Sequence, residues 1–359
     1  MLDTTDDIHI KQITALDTPA EIIHAHPRTE AATRTVLAAR AALQRIVHRN
    51  DGRLAVIIGP CSIHVPDAAM DYAARLVDLR RSLGDRLEII MRVYFEKPRT
   101  IVGWKGLIND PDLDGSYDVE RGLRLARRLL LDINNLGLPA GCEFLDTMMP
   151  QYIADLVSWA AIGARTTESQ IHREMASGLS CPVGFKNGTD GNIKIAVDAV
   201  ASAAAPHHFL AVTKDGRAAI ANTAGNADCH IILRGGQAPN FDANSVSGAC
   251  EVVRQAGLVP SVMIDASHAN SAKKPENQPR VMADVAGQIA DGDGRIVGVM
   301  IESNLVAGRQ DLIPGQPLTH GQSITDGCID WESSRQVLQG LADAVEQRNQ
   351  RRRAPAAAG

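Results

Sequence analysis

Residues 54–61 read LAVIIGPC, a short apolar run that ends in a cysteine, and seven similar runs follow along the chain. These runs are LEIIM before Arg92, LPAGC before Glu143, AAIGA before Arg165, PVGF before Lys186, HIIL before Arg234, SVMIDAS before His268 and IVGVMI before Glu302. Apolar runs without polar alternation indicate strands buried on both faces, and helical patterns lie between them. In a parallel (β/α)8 barrel the carboxyl ends of all strands face one side, where catalytic groups collect. The sequence therefore predicts an α/β protein with a (β/α)8 TIM barrel fold.

Several segments lie outside the repeating pattern. Residues 1–50 precede it and are predicted to form an N-terminal extension that makes oligomer or regulatory contacts, whereas the catalytic barrel is expected over residues 51–349. Between about 206 and 224, two apolar runs flank Asp215 and Gly216, a pair that predicts a β-hairpin inserted before strand six. The spacing of Ser333 and Gln336 predicts a capping box and a final helix that ends at about Arg348. Residues 350–359 are expected to form a flexible tail.

The composition restricts the class of protein. The formal net charge is −5, and aromatic residues make up only 3% of the chain, so nucleic-acid and membrane partners are not expected. A signal-like segment and a run of about 18 apolar residues are both missing, which predicts a cytoplasmic protein. Six scattered cysteines without a CxxC pair are expected to be thiols and not a disulfide framework.

Four residues have the chemistry of a divalent metal site, namely Cys61, His268, Glu302 and Asp326. Three of them follow predicted strands and therefore belong on the same rim. A thiolate, an imidazole and two carboxylates suit Mn, Fe, Co, Zn or Cu, and the sequence does not choose among these ions. Taken singly, Cys61 is explained as a small buried side chain and His268 as a hydrogen-bonded core residue. Their combination on one rim favours one metal ion per subunit.

Basic residues form a second group on or just after predicted strand ends: Arg92, Lys97, Arg99, Lys105, Arg165, Lys186 and Arg234. Charged side chains are rarely buried without a partner, and guanidinium groups match phosphates and carboxylates in geometry. Seven cations exceed the needs of one phosphate, which predicts two anionic substrates or one substrate with several charges. The alternative is that some of these cations, such as Arg99 and Lys105, pair with neighbouring carboxylates on a solvated rim.

Longer motifs carry a resemblance to a known family. They are GPCSIH (59–64), MRVYFEKPRT (91–100), GWKGLINDP (103–111), IGARTTESQ (162–170), PVGFKNGTDG (182–191), HIILRGG (230–236), SHANS (267–271) and SITDGCI (323–329). From about Asp6 to Val345 the chain resembles the microbial type I 3-deoxy-D-arabino-heptulosonate 7-phosphate (DAHP) synthases. The resemblance implies a metal-dependent condensation of phosphoenolpyruvate with erythrose 4-phosphate, with release of phosphate, as the first step of the shikimate pathway.

The resemblance also implies roles for individual residues. The metal ligands would be Cys61, His268, Glu302 and Asp326. Phosphoenolpyruvate would be bound by Arg92, Lys105, Ala164 through its backbone, Arg165, Lys186 and Arg234, and the aldose phosphate by Lys97, Pro98, Arg99 and Thr100. Position and residue type suggest that Lys97 donates a proton and that Glu143 orients or activates a water molecule.

Members of this family are commonly inhibited by one aromatic amino acid, and the resemblance implies a pocket for it outside the barrel mouth. The matching residues are Asp6, Asp7 and Ile10 from a neighbouring subunit, with Pro150, Gln151, Met175, Leu179, Ser180, Phe209 and Ile220 from the barrel side. The motifs VTKDG and DCHIILRGG favour phenylalanine as the effector, and a homodimer or homotetramer is implied. Ordinary core or subunit packing is the alternative for this apolar set.

Two other functions compete with this interpretation. One is a related synthase that joins phosphoenolpyruvate to a different aldose phosphate. The other is a non-catalytic sensor of phosphorylated metabolites or of an aromatic amino acid, because a barrel fold by itself does not specify an activity.

Overall fold

Eight parallel strands close into a barrel in this computed structural model, which describes residues 5–99, 101–313 and 315–353. The barrel strands are β1 (Leu54–Gly59), β2 (Leu87–Arg92), β3 (Ala140–Glu143), β4 (Trp159–Ile162), β5 (Val183–Lys186), β8 (Cys229–Leu233), β9 (Val262–Asp265) and β10 (Ile296–Glu302). Each strand pairs with the next barrel strand along the chain, and β10 closes the barrel against β1, with Gly59 beside Glu302. The predicted TIM barrel is confirmed.

Most helices connect successive strands of the chain, whereas the first two precede the barrel and the last follows it. The helices are α1 (Pro19–Ala25), α2 (Glu30–Val47), α3 (Pro66–Leu83), α4 (Val119–Asn135), α5 (Met149–Ile153), α6 (Gln170–Ser177), α7 (Lys194–Ala203), α8 (Ala243–Gln255), α9 (Gln278–Ala290) and α10 (Trp331–Arg353). The barrel strands are buried along their whole length, as strands covered by helices outside and by packed side chains inside must be.

The N-terminal extension closes one end of the barrel through α2. Leu43 and Ile46 of α2 belong to the same apolar cluster as Trp159 and Val297, which lie near the starts of β4 and β10. The Arg40 guanidinium donates to the carbonyl of Val157, just before β4, at 2.7 Å. These contacts lie at the amino ends of the strands, so α2 covers the end opposite the carboxyl rim.

The predicted hairpin is also present, as a separate two-stranded antiparallel sheet of β6 (His208–Val212) and β7 (Ala218–Asn222). It precedes β8, the sixth strand of the barrel. The turn contains Asp215 and Gly216, and Gly216 has a φ of +74°, a conformation that favours glycine.

The predicted bounds of the last helix were wrong at both ends. The helix begins at Trp331, because Asp330 takes the capping role that was expected of Ser333: the Ser333 amide donates to the Asp330 carboxylate at 2.8 Å. It continues to Arg353, so residues 350–353 are helical and not part of a flexible tail, and residues 354–359 lie outside the described ranges. Among the helices of the described segments, none is long and apolar enough to cross a membrane.

Candidate active site

The carboxyl ends of the barrel strands surround a cavity of about 800 Å³. Most residues expected at the site line it: Arg92, Lys97, Pro98, Arg99, Glu143, Ala164, Arg165, Lys186, Arg234, His268, Glu302 and Asp326. Cys61 lies fully buried beside them, whereas the Lys105 side chain is exposed and does not belong to the lining. Thr100 lies outside the described residues. The cavity thus brings together the candidate metal ligands and most of the candidate anion-binding side chains.

Three of the four candidate metal ligands form a compact cluster. Ligand atoms of Cys61, Glu302 and Asp326 all lie within 4.8 Å of one another, and Cys61 Sγ is 3.6 Å from Asp326 Oδ2. Burial, together with the nearby carboxylate of Glu302, raises the pKa of the Cys61 thiol to about 11. A divalent cation would relieve the repulsion among these groups, so the donor set fits a metal ion.

His268 lines the same cavity, and two neighbouring side chains contact its Nδ1 atom. Its Nδ1 lies 2.7 Å from Ser267 Oγ and 2.9 Å from Asp265 Oδ2. These contacts occupy Nδ1 and leave Nε2 as the ring nitrogen available to a ligand in the cavity. His268 has a φ of +59°, a left-handed conformation that is uncommon for residues other than glycine.

Arg92 connects the metal cluster to the cationic wall. Its Nη2 lies 3.0 Å from Glu302 Oε1 and 3.2 Å from the Cys61 carbonyl oxygen, and its Nε donates to the Pro60 carbonyl oxygen at 3.1 Å. The guanidinium also lies 3.6 Å from the centre of the Tyr94 ring. Arg92 is only 1% exposed, so these contacts fix it in one orientation at the bottom of the cavity.

Lys97 makes a similar connection. Its Nζ lies 3.1 Å from Cys61 Sγ and 3.4 Å from the Cys61 carbonyl oxygen. Burial lowers the pKa of Lys97, but Cys61 and Glu302 outweigh this effect, and the pKa is raised overall. The Lys97 amide donates to the Lys105 carbonyl oxygen at 2.8 Å, so the backbone of Lys105 supports the loop that carries Lys97.

Three buried asparagines hold the rim around Arg234. The Arg234 amide donates to Asn187 Oδ1 at 2.8 Å, and the Gly235 amide donates to Asn240 Oδ1 at 2.7 Å. The Asn240 amide in turn donates to Asn270 Oδ1 at 2.8 Å. Because Asn187 follows β5, Asn240 lies between β8 and α8, and Asn270 follows β9, this network ties three neighbouring loops together.

Glu143 packs directly against the backbone of Gly163. A Cβ atom at Gly163 would lie 2.2 Å from Glu143 Oε1, closer than any real contact of this kind. The absence of a side chain at Gly163 therefore allows the Glu143 carboxylate to occupy its place in the cavity wall.

Sequence reasoning missed several residues that support the site. Asp265 contacts both Lys186 and His268. Gln278 Nε2 donates to the Glu302 carbonyl oxygen, and the Glu302 amide donates to Gln278 Oε1, each at 2.9 Å. Lys273 and Arg309 add two cations to the cavity lining. Asp265 had a detectable signal, because a carboxylate inside the apolar run SVMIDAS is unusual unless it is paired. Gln278 had none, since it is the first residue of α9 and lies far from Glu302 in sequence.

Glu96 was also missed. Its carboxylate accepts hydrogen bonds from the amides of Asp146 at 3.0 Å and Leu145 at 3.3 Å. Burial raises the pKa of Glu96 to about 8, although these hydrogen bonds act in the opposite direction. Glu96 therefore joins the loop that carries Lys97 to the loop that follows Glu143.

The barrel-side residues of the expected effector pocket lie on two helices, in the segment after α6 and in the hairpin. Pro150 and Gln151 belong to α5, Met175 to α6, and Leu179 and Ser180 follow α6. The hairpin contacts both helices, because Lys214 Nζ donates to the Gln151 carbonyl oxygen and Thr223 Oγ1 lies 2.7 Å from Ser177 Oγ. Asp6, Asp7 and Ile10 are exposed in the extension.

Within this set, Phe209 and Ile220 do not share a face of the hairpin. Phe209 is paired with Ala221, and Ile220 is paired with Leu210. Directly opposed residues of an antiparallel pair lie on the same face, and adjacent residues lie on opposite faces. Phe209 is half-buried, whereas Ile220 is 71% exposed. Phe209 and Ile220 therefore lie on opposite faces of the hairpin.

Comparison with known proteins places these features in a family. Residues 28–339 match the DAHP synthetase I family. The chain is 60% identical to the Phe-sensitive phospho-2-dehydro-3-deoxyheptonate aldolase of Escherichia coli K12, over 96% of this chain and 98% of that protein. It is 55% identical to the Trp-sensitive enzyme of Enterobacter agglomerans, over 97% of this chain and 100% of that protein. A solved phospho-2-dehydro-3-deoxyheptonate aldolase from Francisella tularensis is 52% identical and superposes with a TM-score of 0.93, covering 94% of this chain and 99% of that one. The chain therefore belongs to the DAHP synthetase I family.

Proposed function

We propose that this enzyme condenses phosphoenolpyruvate with erythrose 4-phosphate to give DAHP and inorganic phosphate, and so opens the shikimate pathway. The single observation that carries the proposal is the cavity itself, in which a compact thiol and carboxylate cluster directly contacts a wall of buried cations. Two phosphorylated substrates require such a wall. The names of the relatives support the same chemistry.

The cations divide between the two substrates. Arg92, Arg165, Lys186, Arg234 and the backbone of Ala164, which all line the cavity, would bind the phosphate and carboxylate of phosphoenolpyruvate. Lys105 belongs to this proposed set as well, although its exposed side chain must turn toward the cavity to contribute. Lys97, Pro98, Arg99 and Thr100 would bind the aldose phosphate.

Cys61, His268, Glu302 and Asp326 would hold one divalent ion, and this soft and hard donor set suits Mn, Fe, Co, Zn or Cu. When bound, the ion would supply Lewis-acid polarisation of the aldehyde oxygen of erythrose 4-phosphate.

The protein's own residues would then handle the protons. C3 of phosphoenolpyruvate attacks the aldehyde carbon, and the aldehyde oxygen becomes an alkoxide. Lys97, whose raised pKa keeps it protonated at neutral pH, would donate a proton to that oxygen. Glu143 would orient the water molecule that attacks C2, after which the C2–O bond to phosphate breaks and phosphate leaves.

Feedback inhibition by an aromatic amino acid is the second part of the proposal, with phenylalanine as the preferred effector. The Phe-sensitive and Trp-sensitive relatives support regulation by this class of molecule. The pocket would combine α5, the end of α6 and the Phe209 face of the hairpin with Asp6, Asp7 and Ile10 of a neighbouring subunit in a homodimer or homotetramer.

A substrate-exchange assay tests the proposal. Phosphate release from phosphoenolpyruvate is measured with erythrose 4-phosphate, and then with a five-carbon aldose phosphate in its place. Phenylalanine, tyrosine and tryptophan are added separately. We expect release with erythrose 4-phosphate and inhibition by phenylalanine. Faster release with the five-carbon acceptor would identify a different synthase, and no release with either acceptor would favour the sensor.

A further inference from the structure

Asp265 is a buried carboxylate at the carboxyl end of β9, and it lies between the candidate metal ligand His268 and the candidate phosphoenolpyruvate ligand Lys186. It is 1% exposed. Its Oδ2 lies 3.2 Å from Lys186 Nζ and 2.9 Å from His268 Nδ1. One carboxylate oxygen therefore contacts both a candidate metal ligand and a candidate phosphoenolpyruvate ligand.

The other oxygen is fully engaged. Asp265 Oδ1 accepts hydrogen bonds from the Ser267 amide at 3.0 Å and from the Ser267 hydroxyl at 2.6 Å. These bonds fix the plane of the carboxylate and leave Oδ2 to face Lys186 and His268. Oδ2 can only accept, and the Ser267 hydroxyl already donates its proton to Oδ1, so it too can only accept from His268 Nδ1 at 2.7 Å. Both contacts therefore favour the histidine tautomer that carries its proton on Nδ1. That tautomer leaves the Nε2 lone pair free to bind a metal ion.

We propose that Asp265 is a positioning residue that holds His268 in its metal-binding tautomer and Lys186 in its phosphoenolpyruvate-binding orientation. The inference rests on the proposed function, since it assumes that these two side chains bind the metal ion and the substrate.

The variant Asp265→Asn separates positioning from charge. If its single acceptor oxygen stays with Ser267, its NH2 group faces the Lys186 ammonium and His268 Nδ1. The ammonium then faces another donor and must move. His268 can accept from the NH2 only by shifting its proton to Nε2, which blocks metal binding. We therefore expect both ligands to bind more weakly, the metal ion by about 10- to 100-fold and the substrate by about tenfold.

A pure charge effect would act differently on the two ligands. Removing a negative charge from the site would weaken cation binding but would strengthen the binding of an anionic substrate. The affinity for phosphoenolpyruvate therefore decides between positioning and charge.

Binding is measured without turnover. The affinity for Mn²⁺ is obtained by competition with a chelating dye, and the affinity of the metal-free protein for phosphoenolpyruvate by equilibrium dialysis. Asp265→Glu is the second variant, because it keeps the charge but moves the carboxylate by one methylene. Circular dichroism and thermal unfolding show whether each variant is folded.

The matched control is Glu88→Gln. Glu88 is 2% exposed and contacts Arg53 at 2.6 Å and Arg80 at 2.8 Å, but it lies at the amino end of β2, far from the cavity. Like Asp265→Asn, the Glu88→Gln variant therefore loses a buried carboxylate that contacts cationic side chains. Its affinities for Mn²⁺ and for phosphoenolpyruvate should both stay within about twofold of the wild-type values.

Weaker binding of both ligands in Asp265→Asn and Asp265→Glu, with the control unchanged, supports the inference. Tighter binding of phosphoenolpyruvate by Asp265→Asn, or wild-type affinities in Asp265→Glu, would overturn it. A wild-type protein that binds neither Mn²⁺ nor phosphoenolpyruvate would instead refute the proposed function.

Discussion

At the scale of single residues, cationic side chains lie directly against the candidate metal ligands. Arg92 contacts Glu302 at 3.0 Å, and Lys97 contacts Cys61 Sγ at 3.1 Å. The candidate substrate-binding and metal-binding residues are therefore neighbours and not two separate groups. Buried charges are tolerated in a protein interior when they have a partner of opposite sign, and Arg92 with Glu302 and Lys186 with Asp265 meet this condition.

Gly163 offers a test of the role of Glu143. In Gly163→Ala the new methyl group would displace the Glu143 carboxylate, which lies at the end of a flexible side chain. We expect turnover to fall by about 100-fold, because a positioned acid or base contributes about this much, while bound metal stays unchanged. Steady-state kinetics and metal analysis measure the two quantities.

Gly287→Ala is the control for this substitution, because a Cβ atom there meets no heavy atom within 4 Å. It should leave turnover unchanged. Wild-type turnover in Gly163→Ala would show that the place of the Glu143 carboxylate does not matter for the reaction.

At the scale of elements, the hairpin of β6 and β7 is the main addition to the barrel. Its half-buried face, which carries Phe209 and Ala221, contrasts with the exposed face, which carries Leu210 and Ile220. Leu210 is 88% exposed and Ile220 is 71% exposed. The two faces therefore differ in burial, and we expect the proposed effector pocket, formed with α5 and α6, on the half-buried face.

Two alanine variants of the hairpin separate these faces. In Phe209→Ala we expect the phenylalanine concentration for half-maximal inhibition to rise by about tenfold, because an aromatic contact to the effector is lost. Activity without effector should not change. Ile220→Ala, on the other face of the same hairpin, should change inhibition much less, and the opposite order would refute the assignment of faces.

The elements also show what the sequence could and could not predict. Strand ends were predictable, because each buried run ends at a polar residue and the carboxyl ends of parallel strands share one rim. From this pattern Arg92, Lys186 and Arg234 were expected in the cavity, and they line it. Side-chain direction within loops was not predictable, so the Lys105 side chain was expected in the cavity but is exposed. The start of α10 was missed because two residues, Asp330 and Ser333, can both cap a helix.

Contacts between distant loops were the hardest to predict. Gln278 binds the backbone of Glu302 through a neutral side chain, and no motif in the sequence around either residue predicts this contact. The opposite faces of Phe209 and Ile220 depend on strand register, which the turn geometry and the pattern of apolar residues set together.

At the scale of the whole molecule, the two ends of the barrel differ: one is closed by packing and the other contains the candidate active site. α2 packs at the amino ends, and the candidate active site lies at the carboxyl ends. Between them the interior contains His230, which is 3% exposed and accepts a hydrogen bond from Trp159 Nε1 at 3.3 Å. Burial lowers the pKa of His230 to about 4.

This buried histidine predicts a loss of stability in acid. Between pH 6.5 and pH 4, the unfolded chain protonates His230 while the folded protein keeps it neutral, so the free energy of unfolding falls as the pH falls. The full effect is on the order of 3 kcal/mol. In His230→Gln, which can still accept from Trp159, urea unfolding at pH 7 and pH 4.5 should show a smaller difference than in wild type. His24→Gln, at an exposed position of α1, serves as the control, and equal differences in all three proteins would contradict the expectation.

The most direct test of the central claim is phosphate release from phosphoenolpyruvate and erythrose 4-phosphate after chelation and after re-addition of Mn²⁺. We expect no release from the chelated protein, restored release with Mn²⁺, and release only when both substrates are present. Release that persists without metal, or that occurs without erythrose 4-phosphate, would contradict the account.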